Sequence, residues 1–143
     1  MTIANLIEDR ASSDIISVEV GQSVRDAVRI LASKRIGALP VMEHGKVAGI
    51  FSERDVIHRL AEEGESCLER KVGEVMTSPA ITVDRATTVD DALGLMTRRR
   101  IRHLPVIEGE VMCGFISIGD LVKYRYAEVQ HEAEAMREYI THG

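Results

Sequence analysis

The sequence is poor in aromatic residues and in cysteine. Its 143 residues include no tryptophan, 3% aromatic residues and only two cysteines. The core must therefore be aliphatic, and stacked aromatic platforms for single-stranded nucleic acid are not available. Cys67 and Cys113 lack CxxC spacing, and no histidines pair at metal-ligand spacing. We therefore expect two unpaired thiols in a reducing compartment and no metal site.

Long apolar runs and an excess of positive charge are also missing. No run approaches the roughly 18 apolar residues of a membrane span, and the N-terminal MTIANLIEDR has acidic residues where a signal peptide would be apolar. The net charge of -5 disfavours general binding to nucleic acid or to an anionic membrane. With 45% hydrophobic and 29% charged residues, we expect a globular protein located in the cytoplasm.

The chain contains an internal repeat. When the sequence is shifted against itself by 65 residues, the two halves align without a gap. The identical pairs include Ile16 and Ile81, Val18 and Val83, Ala27 and Ala92, Ser52 and Ser117, and Asp55 and Asp120, together with Leu39-Pro40-Val41 and Leu104-Pro105-Val106. So many identities in one register indicate a duplicated unit.

Each copy has the pattern of an α+β unit with the order β-α-β-β-α. An apolar stretch leads to a helix, which we expect Ser23 and Thr87 to cap, and two short strands and a second helix follow. Because each unit is too small for an independent core, the two pseudo-symmetric repeats should pack through their sheets. We divide the chain into a first repeat with an N-terminal helix (1–61), a linker (62–71), a second repeat (72–123) and an extended C-terminal helix (124–143).

The C-terminal helix carries an apolar stripe, called here the C-terminal seam. Its members are spaced alternately by four and three residues: Val122, Tyr126, Val129, Ala133, Met136 and Ile140. A heptad-like stripe of this kind predicts packing against another surface. The pattern leaves two such surfaces open, the protein's own body and a second subunit, and we favour a homodimer.

A Ser-x-x-Asp motif follows an apolar run in both repeats, in IFSERD at 50–55 and FISIGD at 115–120. For a single copy, the simplest interpretation is a helix start, with serine as the N-cap and the acidic residue in the first turn. Together with EVMTSPAITV, GALPV and RHLPV, however, the two motifs make the chain resemble a known family. It is similar to the cystathionine β-synthase (CBS) domain, in tandem-pair form (Bateman module), over roughly residues 3–123.

The resemblance implies a stand-alone regulatory pair without catalytic activity that binds an adenosine ligand between its repeats. The ligand would be AMP, ADP, ATP, NADH or S-adenosylmethionine. Carried over by position, one cleft would use Ser117, Asp120, Arg102 and His103, with Ile15, Ile16, Ile36, Gly37 and Ala38 around the base. The other would use Ser52, Arg54 and Asp55, with Pro79, Ala80, Ile81, Ile101 and Arg102 opposite.

The chemistry of the motif agrees with this assignment. Helix N-termini attract phosphate, but Asp55 and Asp120 would repel it, so each carboxylate should face an uncharged part of the ligand such as the ribose diol. Among the clustered arginines, Arg98 and Arg99 fit a solvated helix end. Arg102 and His103 precede a buried strand, where we expect phosphate contact. The second repeat has Gly119 in place of Arg54, so the two clefts are chemically unequal.

Function is therefore expected to be the sensing of an adenosine ligand, with the signal passed to an unidentified regulated protein. The alternative is an interaction or scaffold protein that binds no ligand and acts through the C-terminal helix and a dimer surface. Nucleic-acid binding through the arginine cluster is a weaker third possibility.

Overall fold

The chain forms two copies of one arrangement, in which a β-hairpin lies between two helices. The computed structural model describes residues 1–142. The first half contains α1 (Ile3–Ile7), β1 (Val18–Glu19), α2 (Val24–Lys34), β2 (Ala38–Glu43), β3 (Lys46–Ser52) and α3 (Glu53–Glu63). The second contains α4 (Val72–Val75), α5 (Val89–Arg99), β4 (His103–Glu108), β5 (Val111–Ser117) and α6 (Ile118–His142). Two 3₁₀ helices, Ser12–Asp14 and Gly64–Glu69, lie in the connections.

The two hairpins are alike, but the strand that precedes them is not. β2 and β3 pair antiparallel with Leu39 opposite Phe51, and β4 and β5 pair in the same way. In the first repeat β1 runs parallel to β2, whereas in the second a single bridge joins Val83 to Val106. There Asp84 accepts hydrogen bonds from the Ala86 amide and the Thr87 hydroxyl, which turns the chain after one extended residue.

The helix starts follow from capping serines and threonines. Ser23 accepts a hydrogen bond from the Asp26 amide at 3.1 Å, as predicted. In the second repeat the cap is Thr88, which accepts from the Asp91 amide at 3.0 Å. The prediction of Thr87 is wrong by one residue, because Thr87 uses its hydroxyl in the Asp84 turn and Thr88 is the true repeat-equivalent of Ser23.

Each short helix that leads into one repeat packs into the core of the other repeat. Ile3 and Ile7 of α1 are buried in the core of the second repeat, and Val72 and Val75 of α4 are buried in the core of the first. Backbone hydrogen bonds secure both helices, among them one from the Ile3 amide to the Thr87 carbonyl at 2.8 Å. Each core therefore contains a helix that the predicted division of the chain (1–61 and 72–123) assigns to the other repeat.

The linker between the repeats is also part of the fold. Although the linker sequence is polar, Cys67 is fully buried in the 3₁₀ helix Gly64–Glu69. Both cysteines are free thiols. Over residues 1–142, no helix is long and apolar enough to cross a membrane. Between the repeats, β3 and β5 lie against each other.

Candidate ligand-binding clefts

The motif at Ser117 fixes the position of the Asp120 carboxylate at the start of α6. The Ser117 amide donates to Asp120 Oδ2 at 2.9 Å, and the Asp120 amide donates to Ser117 Oγ at 3.1 Å. This reciprocal pair is a capping box, which satisfies two otherwise free amides of the helix end. It leaves Asp120 Oδ1 available to a partner outside the helix.

That partner is Arg10, a residue that the sequence did not indicate. Its Nη2 lies 3.1 Å from Asp120 Oδ1 and its Nη1 lies 3.4 Å from Oδ2, so the guanidinium contacts both carboxylate oxygens. Arg10 reaches Asp120 because α1 is embedded in the second core and the chain then passes beside β5. The repeat offers no signal for it, since the aligned position is Val75.

A cavity of about 290 Å³ lies beside this ion pair, between the two repeats. It is lined by Arg10, Ala11, Asp14, Ile15, Ile16, Ile36, Ala38, His103, Cys113, Gly114, Phe115, Ser117 and Asp120. The first repeat and its N-terminal segment supply an apolar wall, and the second supplies the motif. A shallower depression of about 390 Å³, lined by Thr82, Asp84 and Asp91 among others, opens away from both motifs.

The structure brings together seven of the nine residues predicted for this cleft: Ile15, Ile16, Ile36, Ala38, His103, Ser117 and Asp120. The other two, Gly37 and Arg102, are not among the lining residues. Gly37 faces the His103 ring, and a Cβ added at Gly37 would lie 3.6 Å from His103 Cε1, in ordinary van der Waals contact. Arg102 is exposed, and its carbonyl accepts a hydrogen bond from the Ile118 amide at 2.8 Å. The guanidinium at this cavity is therefore that of Arg10.

The motif at Ser52 has the same capping box but a different neighbour. The Ser52 amide donates to Asp55 Oδ2 at 2.9 Å, and the Thr77 hydroxyl donates to Asp55 Oδ1 at 3.1 Å. Arg54 donates to the Arg100 carbonyl of the other repeat at 3.4 Å. A neutral hydroxyl thus stands where the Ser117 motif has a guanidinium.

The chain also closes over β3 at the Ser52 cleft. Thr77 and Ile50 exchange backbone hydrogen bonds of 3.0 and 2.8 Å, and the Ser78 hydroxyl donates to the Ala48 carbonyl at 2.8 Å. A Cβ at Gly49 would lie only 2.6 Å from the Thr77 carbonyl oxygen. Thr77 and the following segment therefore sit directly on the strand edge.

The remaining residues predicted for the Ser52 cleft are spread around this closure. Pro79 is exposed, Ala80 is half-buried, and Ile81 and Ile101 pack against the core of the second repeat. Arg102 is exposed here as well. The motif makes side-chain hydrogen bonds to residues beside the predicted ones, from Arg54 to the Arg100 carbonyl and from Thr77 to Asp55.

Comparison with known proteins places the repeat in a family. The sequence profile of the CBS domain matches residues 7–62 and again residues 72–127. The chain belongs to the CBS-domain family. The resemblance seen in the sequence and the predicted α+β tandem architecture are both confirmed.

Relatives of this CBS pair are known by sequence and by structure. The mitochondrial CBS domain-containing protein CBSX3 of Arabidopsis thaliana is 40% identical over 126 residues, covering 85% of this chain. This chain spans 61% of that relative's length. A CBS-domain protein described as a signal-transduction protein from Burkholderia ambifaria is 37% identical, with a TM-score of 0.82 over 89% of this chain and 95% of that one.

Structural neighbours include ligand complexes. The CBS-domain pair of protein MJ0100, solved in complex with 5′-methylthioadenosine and S-adenosyl-L-methionine, is 26% identical, with a TM-score of 0.73. The match covers 85% of this chain and 96% of that one.

The cleft at Ser117, called here the open cleft because it contains the cavity, has a charge set by burial and by Arg10. Burial lowers the pKa of His103, and Arg102 adds to this effect, while Asp120 and Glu53 oppose it without reversing it. The imidazole, which stacks on Phe115 with ring centroids 5.5 Å apart, is therefore neutral at neutral pH. Burial would raise the pKa of Asp120, but hydrogen bonds from Arg10 and Ser117 and the charge of Arg10 lower it overall.

These groups determine which kinds of ligand the open cleft can bind. It offers an apolar wall for a flat ring, an ionised carboxylate as acceptor for hydroxyl groups, and one guanidinium that is already paired. Within residues 1–142, no group of three histidine, cysteine, aspartate or glutamate side chains is placed to hold a metal ion.

Proposed function

We propose that this CBS pair is a non-enzymatic regulatory module that binds an adenosine-containing ligand in the Ser117 cleft. The observation that carries the proposal is the cavity itself, in which an apolar wall from one repeat faces a capped carboxylate from the other. The ribose diol donates to Asp120, and the adenine lies against Ile15, Ile16 and Ile36. The ligands bound by MJ0100 support an adenosine compound.

Ligand binding has to displace Arg10 from Asp120. The Arg10 and Asp120 side chains are 43% and 30% exposed, and an ion pair this accessible to water contributes about 1 kcal/mol or less. Each charge-assisted hydrogen bond from a ribose hydroxyl to the carboxylate contributes roughly 1.5 to 3 kcal/mol, and the diol can form two of them. The diol therefore prevails, and the released guanidinium becomes available to an anionic group of the ligand.

The charge of the cleft ranks the candidate ligands. Its lining carries two carboxylates, Asp14 and Asp120, and one guanidinium, Arg10, so one positive and two negative charges sum to -1. A triphosphate would meet net repulsion, because one released guanidinium cannot balance it. S-adenosylmethionine and AMP are thus proposed above ADP, ATP and NADH.

A ligand panel tests the proposal. S-adenosylmethionine or AMP at millimolar concentration should raise the melting temperature by mass action, with a smaller shift for ATP and NADH. Asp120→Ala should reduce affinity tenfold or more, because the diol loses its acceptor. Absence of any shift with all of these ligands would overturn the proposal.

The exposed C-terminal seam favours a second candidate, an interaction protein that acts through α6 and binds no ligand. Failure of the whole ligand panel, with self-association or partner binding intact, would support this alternative. The proposed homodimer and a regulated downstream protein are compatible with either function.

A further inference from the structure

Helix α6 has two parts with different surroundings. Its first three turns lie on the second repeat, where Leu121 is fully buried and Tyr124 packs against the core. Arg125 lies within ion-pair distance of Asp90 of α5. Beyond Glu128 almost every residue is exposed, so a segment about 20 Å long projects from the body of the protein.

The projecting part leaves the C-terminal seam uncovered. Val122, Tyr126, Val129, Met136 and Ile140 are 53 to 75% exposed, and Ala133 is half-buried. Packing of the seam on the protein's own body, one of the two options left open by the sequence, is therefore excluded. A helical segment of this length without tertiary contacts is marginal in water, so its stability calls for a partner along the apolar stripe.

The charges beside the seam favour a second copy of this chain in parallel orientation. In a parallel pair, Glu132 of one helix approaches Arg137 of the other, roughly five positions further along, and this contact occurs twice by symmetry. In an antiparallel pair with the same overlap, Glu132 meets Glu132 and Lys123 meets Arg137. The first arrangement pairs opposite charges, and the second pairs like charges.

We propose that two copies associate through the C-terminal seam as a parallel, in-register helical pair. The proposal rests on α6 alone and does not depend on ligand binding. If the proposed function also holds, the same helix links the ligand cleft to the dimer contact, since α6 begins at the Ser117 motif and has Asp120 in its first turn. A ligand that reorients Asp120 then acts on the start of a helix whose other end forms the dimer contact.

Cysteine cross-linking distinguishes the two orientations. In a parallel pair Ala133 faces its own counterpart across the seam, at a separation suited to a disulfide, for which the Cα atoms lie about 5.5 to 6 Å apart. Under mild oxidation Ala133→Cys should give disulfide-linked dimers in high yield. His131→Cys, on the opposite side of the helix, is the matched control and should give few, and the unmodified chain measures cross-linking by the native thiols.

The antiparallel alternative has its own signature. A tagged Val129→Cys chain mixed with an untagged Ala133→Cys chain would form mixed dimers, because these two positions would then face each other. Preferential formation of mixed dimers, or equal cross-linking of Ala133→Cys and His131→Cys, would overturn the proposal.

Charge reversal and seam disruption give a second, independent measurement by sedimentation. Glu132→Arg and Arg137→Glu should each raise the dimer dissociation constant several-fold, and the double variant should recover most of the loss. Met136→Lys should make the chain monomeric, while S-adenosylmethionine or AMP should shift its melting temperature as much as that of the parent chain. A Met136→Lys chain that remains fully dimeric would contradict pairing through the seam.

Discussion

The two clefts of this CBS pair share a motif and differ in what closes over it. At Ser52 the segment after α4 is hydrogen-bonded to β3, and the Thr77 hydroxyl contacts Asp55. At Ser117 the segment after α1 forms a 3₁₀ helix instead, leaves a cavity beside β5 and places Arg10 on Asp120. Duplication thus preserved the capping box, while the flanking segments made one cleft closed and the other open.

Glycine replacement should give the largest effect and tests whether the Ser52 cleft is truly closed. A methyl group at Gly49 would meet the Thr77 carbonyl oxygen at 2.6 Å, whereas at the equivalent Gly114 it would meet the end of the Ile7 side chain at 3.1 Å. Gly49→Ala should lower the free energy of unfolding by about 1 to 3 kcal/mol, and Gly114→Ala by less, because a side chain shifts more easily than backbone. Chemical denaturation measures both, and equal losses would contradict the difference between the clefts.

Replacement of the two aspartates compares the clefts as binding sites. Asp120→Ala should weaken binding of S-adenosylmethionine or AMP tenfold or more. Asp55→Ala should change it little, because Thr77 and the strand contact occupy that cleft. Isothermal titration calorimetry reports both affinity and stoichiometry. Equal loss in the two variants, or two sites per chain, would show that the closed cleft also binds.

Removal of the Arg10 guanidinium sharpens the role of the ion pair. Arg10→Gln should strengthen binding of methylthioadenosine, which has no phosphate, by up to about fivefold, since the competing pair contributes about 1 kcal/mol or less. AMP should gain less or lose affinity, because it also loses the released cation. The conservative Arg10→Lys should fall between the two chains. Weaker binding of methylthioadenosine to Arg10→Gln would contradict competition between Arg10 and the ribose for Asp120.

The smallest expected effect is a pH dependence from His103. Because burial lowers its folded-state pKa, the folded protein binds this proton less readily than the unfolded chain does. The contribution to stability is therefore present above the unfolded value of about 6.5 and is lost as the pH falls below it. His103→Gln should flatten this part of the curve, with the exposed His58→Gln as control. An unchanged pH dependence of the free energy of unfolding in His103→Gln would show that His103 is not its cause.

Much of the fold could be read from the sequence because it depends on local patterns. The hairpins, the helix starts at Ser52 and Ser117 and the length of α6 follow from periodicity, turns and caps within a few residues. Exceptions such as Thr87 and the shortened strand at Val83 arose where a side chain, Asp84, competed for local hydrogen bonds.

The open cleft was less predictable than the fold. Ser117 and the isoleucines were predicted from the resemblance to the CBS-domain family, and the structure gathers them around one cavity. Arg10 and Thr77 were missed, since each contacts an aspartate far along the chain and neither matches its repeat-equivalent. Their roles in binding, like those of the other proposed residues, stay predictions until the variants are measured.

The sequence by itself determined the duplication, which is visible as identities at a constant offset of 65 residues. It also determined the Ser and Asp contacts of each motif and the apolar stripe of α6, because these depend on residues three or four positions apart. Only the tertiary structure decided that α1 enters the second core and α4 the first. That choice carries Arg10 to a residue 110 positions away. Contacts of this kind depend on which apolar surfaces bury each other after the chain has closed on itself, and no local pattern records the outcome.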